Sequence, residues 1–371
     1  MSKFYIRGKL YSATEIINLA QENFTLQTIR TMPLSLYKYF PNTINPEDGR
    51  NYSQEALENN TVFLQQPSLF DDPYDCTVLV DEQEFARHRI THYAQLCGFT
   101  VSPEWDYSKI AYEFSCFLYE GIKAGKQMLE LFPICPNSKD MVELQNEVFA
   151  LSLQADLYQL PPTSKIWEQM FYNAIHREYV DVHSNLIQKF RVSCFAETPY
   201  SILMWSHYAN NHKGFCIEYE VPTYTEPYAH LYHNLMPVIY GNQRVPILEQ
   251  CTRVLLSPRV TPDILWDIYK YGLLMKSDEW RYQNEWRLIS WDDLLSSDGH
   301  YNCRFFKIKK VYLGNRMDTK DRLRVIKICK DRQIPYTGVI IAPDKYKMLD
   351  CMQLCEDCPR LIRSGEISND S

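Results

Sequence analysis

From Phe215 to Val221 the chain alternates. Phe215, Ile217, Tyr219 and Val221 are apolar, with Cys216, Glu218 and Glu220 between them. A period of two marks a strand with one face in a core. The segment therefore belongs to a sheet packed on one side. Directly ahead of it, Trp205, His207, Tyr208, Asn210, Asn211, His212, Lys213 and Gly214 crowd the strand entrance. Gly214 is expected to hold a turn there. Polar and aromatic groups gathered where a loop meets a rigid strand are a common way to build a site. The same cluster also reads as a solvated loop with two surface histidines.

The rest of the chain sorts into strand-rich and helix-rich stretches. Residues 1–30 read as a short amphipathic start, with a helix opened by Ser12 or Thr14. LYKYF (Leu36–Phe40) reads as a short strand and TVFLQQPSLF as another strand and turn, leading into FDDPYD (Phe70–Asp75). Residues 81–190 change character, with apolar residues at three- and four-residue spacing, as in Ile166, Met170, Tyr172, Ala174 and Ile175. That spacing predicts helices. Strands return from Arg191 in RVSCFAE, GFCIEYEV, PVIYG, EWRLISW, CRFFKIKKVYLG and TGVIIAPD. Two helices interrupt them, Thr261–Ser277 and Asp318–Ile334. Strands, then helices, then strands again imply an α+β fold rather than an alternating parallel one. The expected division is a strand-rich part over residues 1–80, a helical insert over 81–190, a second strand-rich part over 191–345 and a cysteine-containing tail over 346–371.

With 371 residues the chain is long enough to bury a sizeable core. Its formal net charge of −7 gives no support for broad non-specific nucleic-acid binding. Its 27 tyrosines suit half-buried strands and ligand-stacking walls. The opening MSKFYIRGKLYSATEI is mixed and charged, unlike an export signal, and no apolar run approaches a membrane span. The 12 cysteines are scattered through apolar segments and are expected to be reduced. A cytoplasmic protein is expected.

Several clusters could carry chemistry. Asp71, Asp72 and Asp75 surround a proline turn, where they could bind a hard cation or close an Asx turn. His207 and His212 are not at the spacing of two metal ligands on one helix face. Either could act as a base or sit in the core, and no metal site is expected here. Cys351, Cys355 and Cys358 could form part of a zinc site with Cys329 or a histidine, or mark a buried helix face. In EWRLI, Glu285 and Arg287 would share one strand face, with Trp286 and Leu288 on the other. That pair reads as a surface ion pair or as the lining of a cleft. KSDEWRYQN, just upstream, adds Lys276, Trp280, Arg281 and Tyr282.

Taken in order, LYKYF, PSLFDDPYD, VSCFAE, MWSHYANNHKGFCIEY, KSDEWRYQNEWRLI and VYLGNRM resemble the bacterial domain-of-unknown-function family 2971. The resemblance spans about residues 36–316, interrupted by the helical insert. One departure is Asp71, where the family usually has Asn. The family's spaced motifs are in turn similar to those of the ADP-ribosyltransferase superfamily, whose small split β-sheet core surrounds an NAD cleft. That similarity implies Lys38 or Tyr39 at the nicotinamide ribose, Ser68 or Tyr74 beside nicotinamide, and Glu285 as the late-strand glutamate. It implies Asp72, Trp205, His212 and Arg287 among the cofactor-binding residues, and His207 and Tyr208 beside Glu285 in catalysis.

The resemblance thus implies an NAD-using ADP-ribosyltransferase, acting as a bacterial effector, toxin or phage-defence protein on a protein or nucleic-acid acceptor. The insert would recognise the acceptor or form a homo-oligomer. Two other readings stay open. One is a metal-dependent hydrolase or nuclease using Asp71, Asp72, Asp75, His207 and His212. The other is a non-catalytic sensor of a nucleotide or phage component. Under the transferase reading, a Glu285→Gln protein is expected to fold normally and to lose turnover.

Overall fold

The computed structural model describes residues 3–126, 165–180, 187–223, 228–248, 262–291 and 301–351. Residues 127–164, part of the stretch expected to be helical, lie outside them, as do Cys355 and Cys358. The architecture is mixed α+β, with several small sheets and no barrel among the described residues. In chain order the strands are β1 (Lys3–Ile6), β2 (Lys9–Ser12), β3 (Ser35–Phe40), β4 (Thr61–Phe63), β5 (Phe190–Phe195), β6 (Phe215–Glu220) and β7 (Leu235–Pro237). They continue as β8 (Ile239–Gly241), β9 (Met275–Ser277), β10 (Trp286–Trp291), β11 (Asn302–Arg304), β12 (Ile308–Leu313), β13 (Tyr336–Ile341) and β14 (Met348–Asp350).

The chain divides into two compact units. The first comprises Met1–Leu69, Phe190–Asn242 and Lys276–Ser371; the second comprises Phe70–Lys189 and Gln243–Met275. The helical unit therefore begins at Phe70 rather than at residue 81, and it also takes in a later segment. Long-range pairing makes that difference: Leu79 bridges Pro246, and the Ile247 amide donates to the Leu79 carbonyl.

The first unit is organised on a five-stranded sheet of order β14-β13-β12-β6-β3. The alternation around Phe215 settles its two faces. Leu36, Lys38 and Phe40 on β3 lie opposite Tyr219, Ile217 and Phe215 on β6. This face packs on the main core with Val311 and Leu313. Tyr37 and Tyr39 lie opposite Glu218 and Cys216 and belong to the other face. There Tyr39, Cys216 and Tyr312 pack against Trp205, Ala209 and Met204. β10 is the middle strand of a three-stranded sheet, flanked by β5 and β7.

Two local expectations are revised. The amphipathic start is a β1–β2 hairpin followed by helices Ala13–Ile17 and Gln21–Thr31. Arg7 and Gly8 turn the hairpin with φ of 48° and 75°. Ser12 does cap the first helix, in a reciprocal pair with Glu15. The helix expected over Thr261–Ser277 is Pro262–Ile268, widened into a π-turn at Tyr269–Leu273 and followed by β9.

The second unit contains the helices Glu82–Leu96, Tyr107–Lys123 and Lys165–Val180. Asp106 caps the middle one by accepting from the Lys109 amide, and Ile110, Phe114, Leu118 and Ile122 form its buried stripe. Phe114 stacks on Phe171 of the third helix at 5.2 Å between ring centroids. Beside them Arg89 makes a two-pronged pair with Glu178, at 2.6 and 3.0 Å.

Candidate functional site

The segment ahead of β6 is not an open loop. Ser201 caps a short helix, Ile202–Tyr208, which carries Trp205, His207 and Tyr208 in its last turn. The chain then turns back through three left-handed residues, Asn210, Asn211 and His212, with φ of 47°, 53° and 71°. Asparagine adopts this conformation more readily than most residues, which accounts for the paired Asn. Gly214 serves a different purpose from the expected turn. A Cβ there would lie 1.9 Å from the Phe40 carbonyl oxygen, so only glycine lets β6 and β3 approach.

This turn sends its side chains in different directions. Trp205 is fully buried, donates to the Pro199 carbonyl at 2.7 Å and meets Tyr39 edge-on. His212 is buried against Trp205, with Nε2 3.2 Å from Ser206 Oγ. Burial and the nearby Arg316 lower its pKa, so it sits neutral. Tyr39 donates its hydroxyl to the Thr198 carbonyl at 2.7 Å. His207, by contrast, is exposed and lies edge-on to the Trp280 ring.

Tyr208 points into a buried polar cluster. Its hydroxyl accepts from Gln283 Nε2 at 2.8 Å. Gln283 Oε1 in turn accepts from Lys276 Nζ at 3.0 Å. Lys276 also pairs with Glu285 at 2.8 Å, and Arg287 Nε reaches the other Glu285 oxygen at 2.6 Å. The Glu285 amide donates to the Tyr240 hydroxyl at 2.8 Å. Glu285 stands one residue ahead of β10, and Arg287 is the second residue of that strand. The shared face expected of them holds, but neither is at the surface: Glu285 is 4% exposed and Arg287 0%. The expectation that Glu285→Gln leaves folding untouched gives way to this geometry, because the amide would face two buried cations.

Burial alone would raise the Glu285 pKa. The Arg287 guanidinium and the Lys276 ammonium outweigh that effect and hold the carboxyl well below its usual range. Burial pushes the Tyr208 phenol up to about 12, with Lys276 opposing and Glu285 adding. Cys194, opposite Arg287 on β5, is likewise raised to about 12 by burial and by Glu285. Lys38 donates to the Cys194 carbonyl at 3.2 Å; burial lowers its pKa, and Cys194 and Glu285 oppose that. Outside the cluster the rings of Tyr208, His207, Trp280 and Tyr282 follow one another with centroid spacings of 6.3, 6.3 and 6.1 Å. Lys276 Nζ lies 5.3 Å from the Trp280 centroid, so it links cluster and row.

Of the residues singled out in the sequence, the structure gathers Lys38, Tyr208, Glu285 and Arg287, with His207 in the adjoining row. Trp205, His212 and Tyr39 form a neighbouring packing knot. Ser68 is exposed on the single turn Pro67–Leu69 of the first unit. Asp72 and Tyr74 belong to the second unit. There Asp72 accepts from the Tyr74 amide at 2.9 Å, which is the Asx turn, and Tyr74 is exposed. No group of three or more His, Cys, Asp or Glu side chains suited to one ion occurs among the described residues. Gln283 and Tyr240 were missed, because nothing in the sequence distinguishes a bridging amide or phenol from an ordinary one.

The fold and the cluster together define a mixed α+β protein with an ionised carboxylate clamped at the mouth of a central strand. The family described as "Protein of unknown function (DUF2971)" matches this chain over residues 204–288, and the resemblance stated above holds on that segment. The match contains Trp205, His207, Tyr208, His212, Glu285 and Arg287, but does not reach Lys38, Tyr39, Ser68, Asp72 or Tyr74. Comparison with curated proteins and with solved structures gives no match. No helix among the described residues is long and apolar enough to cross a membrane.

Proposed function

We propose that the first unit binds NAD and transfers its ADP-ribose to a macromolecular acceptor, protein or nucleic acid, as a cytoplasmic bacterial toxin or defence enzyme. The observation that carries this reading is Glu285, kept ionised by Arg287 and Lys276 at the mouth of a central strand and joined through Gln283 to Tyr208. A fixed carboxylate can stabilise positive charge developing on a ribose as its glycosidic bond breaks. In that reaction nicotinamide leaves with the bonding electrons. An acceptor lone pair forms the new bond to the ribose carbon, and the acceptor's proton passes to solvent. The row of exposed His207 and half-buried Trp280 and Tyr282 supplies faces on which a flat ring can stack.

A second reading is a sensor that binds a nucleotide without turnover. It is favoured by the burial of Glu285 at 4% exposure, with both carboxylate oxygens already engaged. Calorimetry with NAD, followed by chromatography for released nicotinamide, separates the two. Saturable binding with release, both weakened by Trp280→Ala, supports the transferase. Binding without release supports the sensor, and absence of binding removes the transferase and any sensor of NAD.

A further inference from the structure

The helical unit contains a cavity of about 590 Å³, lined from three helices by residues that include Glu82, Glu84, Tyr107, Tyr172, His176 and Tyr179. The size is that of a small-molecule or side-chain pocket. Its lining has two halves. On the Lys165–Val180 helix, Tyr172, His176 and Tyr179 recur about once per turn, so they share one side. Their rings stack as a ladder: Tyr172 on His176 at 5.4 Å and 12°, His176 on Tyr179 at 6.4 Å and 23°. On the facing helices the lining is acidic, with Glu82, Glu84 and Asp106.

The charged groups are unequally committed. Arg87, the one lysine or arginine of the lining among the described residues, is held by the backbone carbonyls of Trp105 and Pro103. Glu82 meets His176 Nδ1 at 3.1 Å, and Asp106 caps a helix through one oxygen. The Tyr107 hydroxyl is buried and has no hydrogen-bond partner among the described residues. Burial raises its pKa, and Glu168 and Tyr172 add to that, so a further carboxylate acts on this spot. Flat ring faces and carboxylates in one lining, with an unused phenol, match a planar cation better than an anion or a neutral ring. Guanidinium stacks on aromatic faces and accepts carboxylates edge-on.

We propose that this cavity binds a guanidinium group, with Tyr172 and His176 stacking on its plane and Glu84 and Tyr107 meeting its edge. The site lies in the other compact unit and is independent of the NAD reading. The guanidinium could be a free small molecule or an arginine side chain on a polypeptide.

The test is calorimetry on the full chain with four probes: agmatine, N-acetyl-arginine amide, a Gly-Gly-Arg-Gly-Gly peptide and the neutral isostere N-acetyl-citrulline amide. We expect saturable binding of guanidinium probes at millimolar concentration or below, and none of citrulline. Stronger binding of the peptide identifies a polypeptide source, and stronger binding of agmatine a free metabolite. Tyr172→Leu and Glu84→Gln, both at exposed positions, should each weaken binding at least about fivefold. Circular dichroism should show unchanged folding of both. Citrulline binding as tightly as arginine, no guanidinium binding at millimolar probe, or unchanged affinity in both folded variants would each overturn the proposal.

Discussion

Each compact unit buries one glutamate against an arginine, and the two solutions differ. In the helical unit Glu178 receives Arg89 through two nitrogens and the Tyr93 hydroxyl, and both partners are buried. The contacts tie the Glu82–Leu96 helix to the Lys165–Val180 helix. In the sheet unit Glu285 receives two cations, and the contacts lead outward through Lys276 and Gln283 to Tyr208, beside the exposed His207. Burying a carboxylate is thus no sign of function by itself. Both arrangements must offset a large desolvation cost. What marks the Glu285 cluster is that its contacts continue through Gln283 to Tyr208, whose neighbour His207 is exposed.

The sharpest way to break this contrast is to neutralise each glutamate. Glu285→Gln leaves two buried cations facing an amide and should cost about 3–5 kcal/mol in urea denaturation. On the transferase reading it should also lower nicotinamide release about a hundredfold or more, measured where the variant is still folded. Glu178→Gln should cost about 3 kcal/mol and leave release per folded molecule unchanged. Equal loss of turnover in both folded variants would erase the distinction.

A smaller effect tests the knot beside the sheet cluster. Gly214→Ala places a methyl against the Phe40 carbonyl and should cost about 1–3 kcal/mol as β6 moves off β3. A melting temperature equal to the parent's would show that this contact yields freely. The smallest effect is a pH slope. His212 has a folded pKa below 6.5, so its contribution is complete above about that pH and is lost as pH falls through the lower folded value. The melting temperature should therefore fall on acidification below about pH 6.5, and His212→Gln should flatten that limb. An unchanged limb would place the acid sensitivity elsewhere.

Much of the sheet unit was legible because its strands alternate. Phe215–Val221 specified the strand and the face that meets the main core, and the LYKYF and EWRLI strands fall where they were read; the expectation of a sheet packed on one side fails, because Trp205, Ala209 and Met204 cover the Cys216 face as well. Asp318 and Ser12 were readable as helix caps, since a side-chain oxygen at that position has one evident use. The β1–β2 hairpin was missed although its Arg7–Gly8 turn was in view. Its strands are only four residues long, too short to display a period. The assignment of Gln243–Met275 to the helical unit rests on contacts with residues far away in sequence, which no local pattern encodes. At the site, types of residue were legible and their connections were not. Glu285 and Arg287 were paired by strand geometry, but the passage from Lys276 to Tyr208 depends on Gln283, an amide in a polar stretch.

The pairing of β3 with β6 has a consequence for how the chain is made. Ser35 and Glu218 are hydrogen-bonded across 183 residues. A ribosome adding roughly 5–20 residues per second needs about 10 to 40 s to produce the partner strand. Throughout that interval β3, the tyrosine-rich SLYKYF, has left the tunnel without its native neighbour. The helices of the other unit emerge meanwhile and can pack by local contacts. The nascent chain therefore carries an open, aggregation-prone edge beside an already folding helical body, a situation that holdase chaperones relieve.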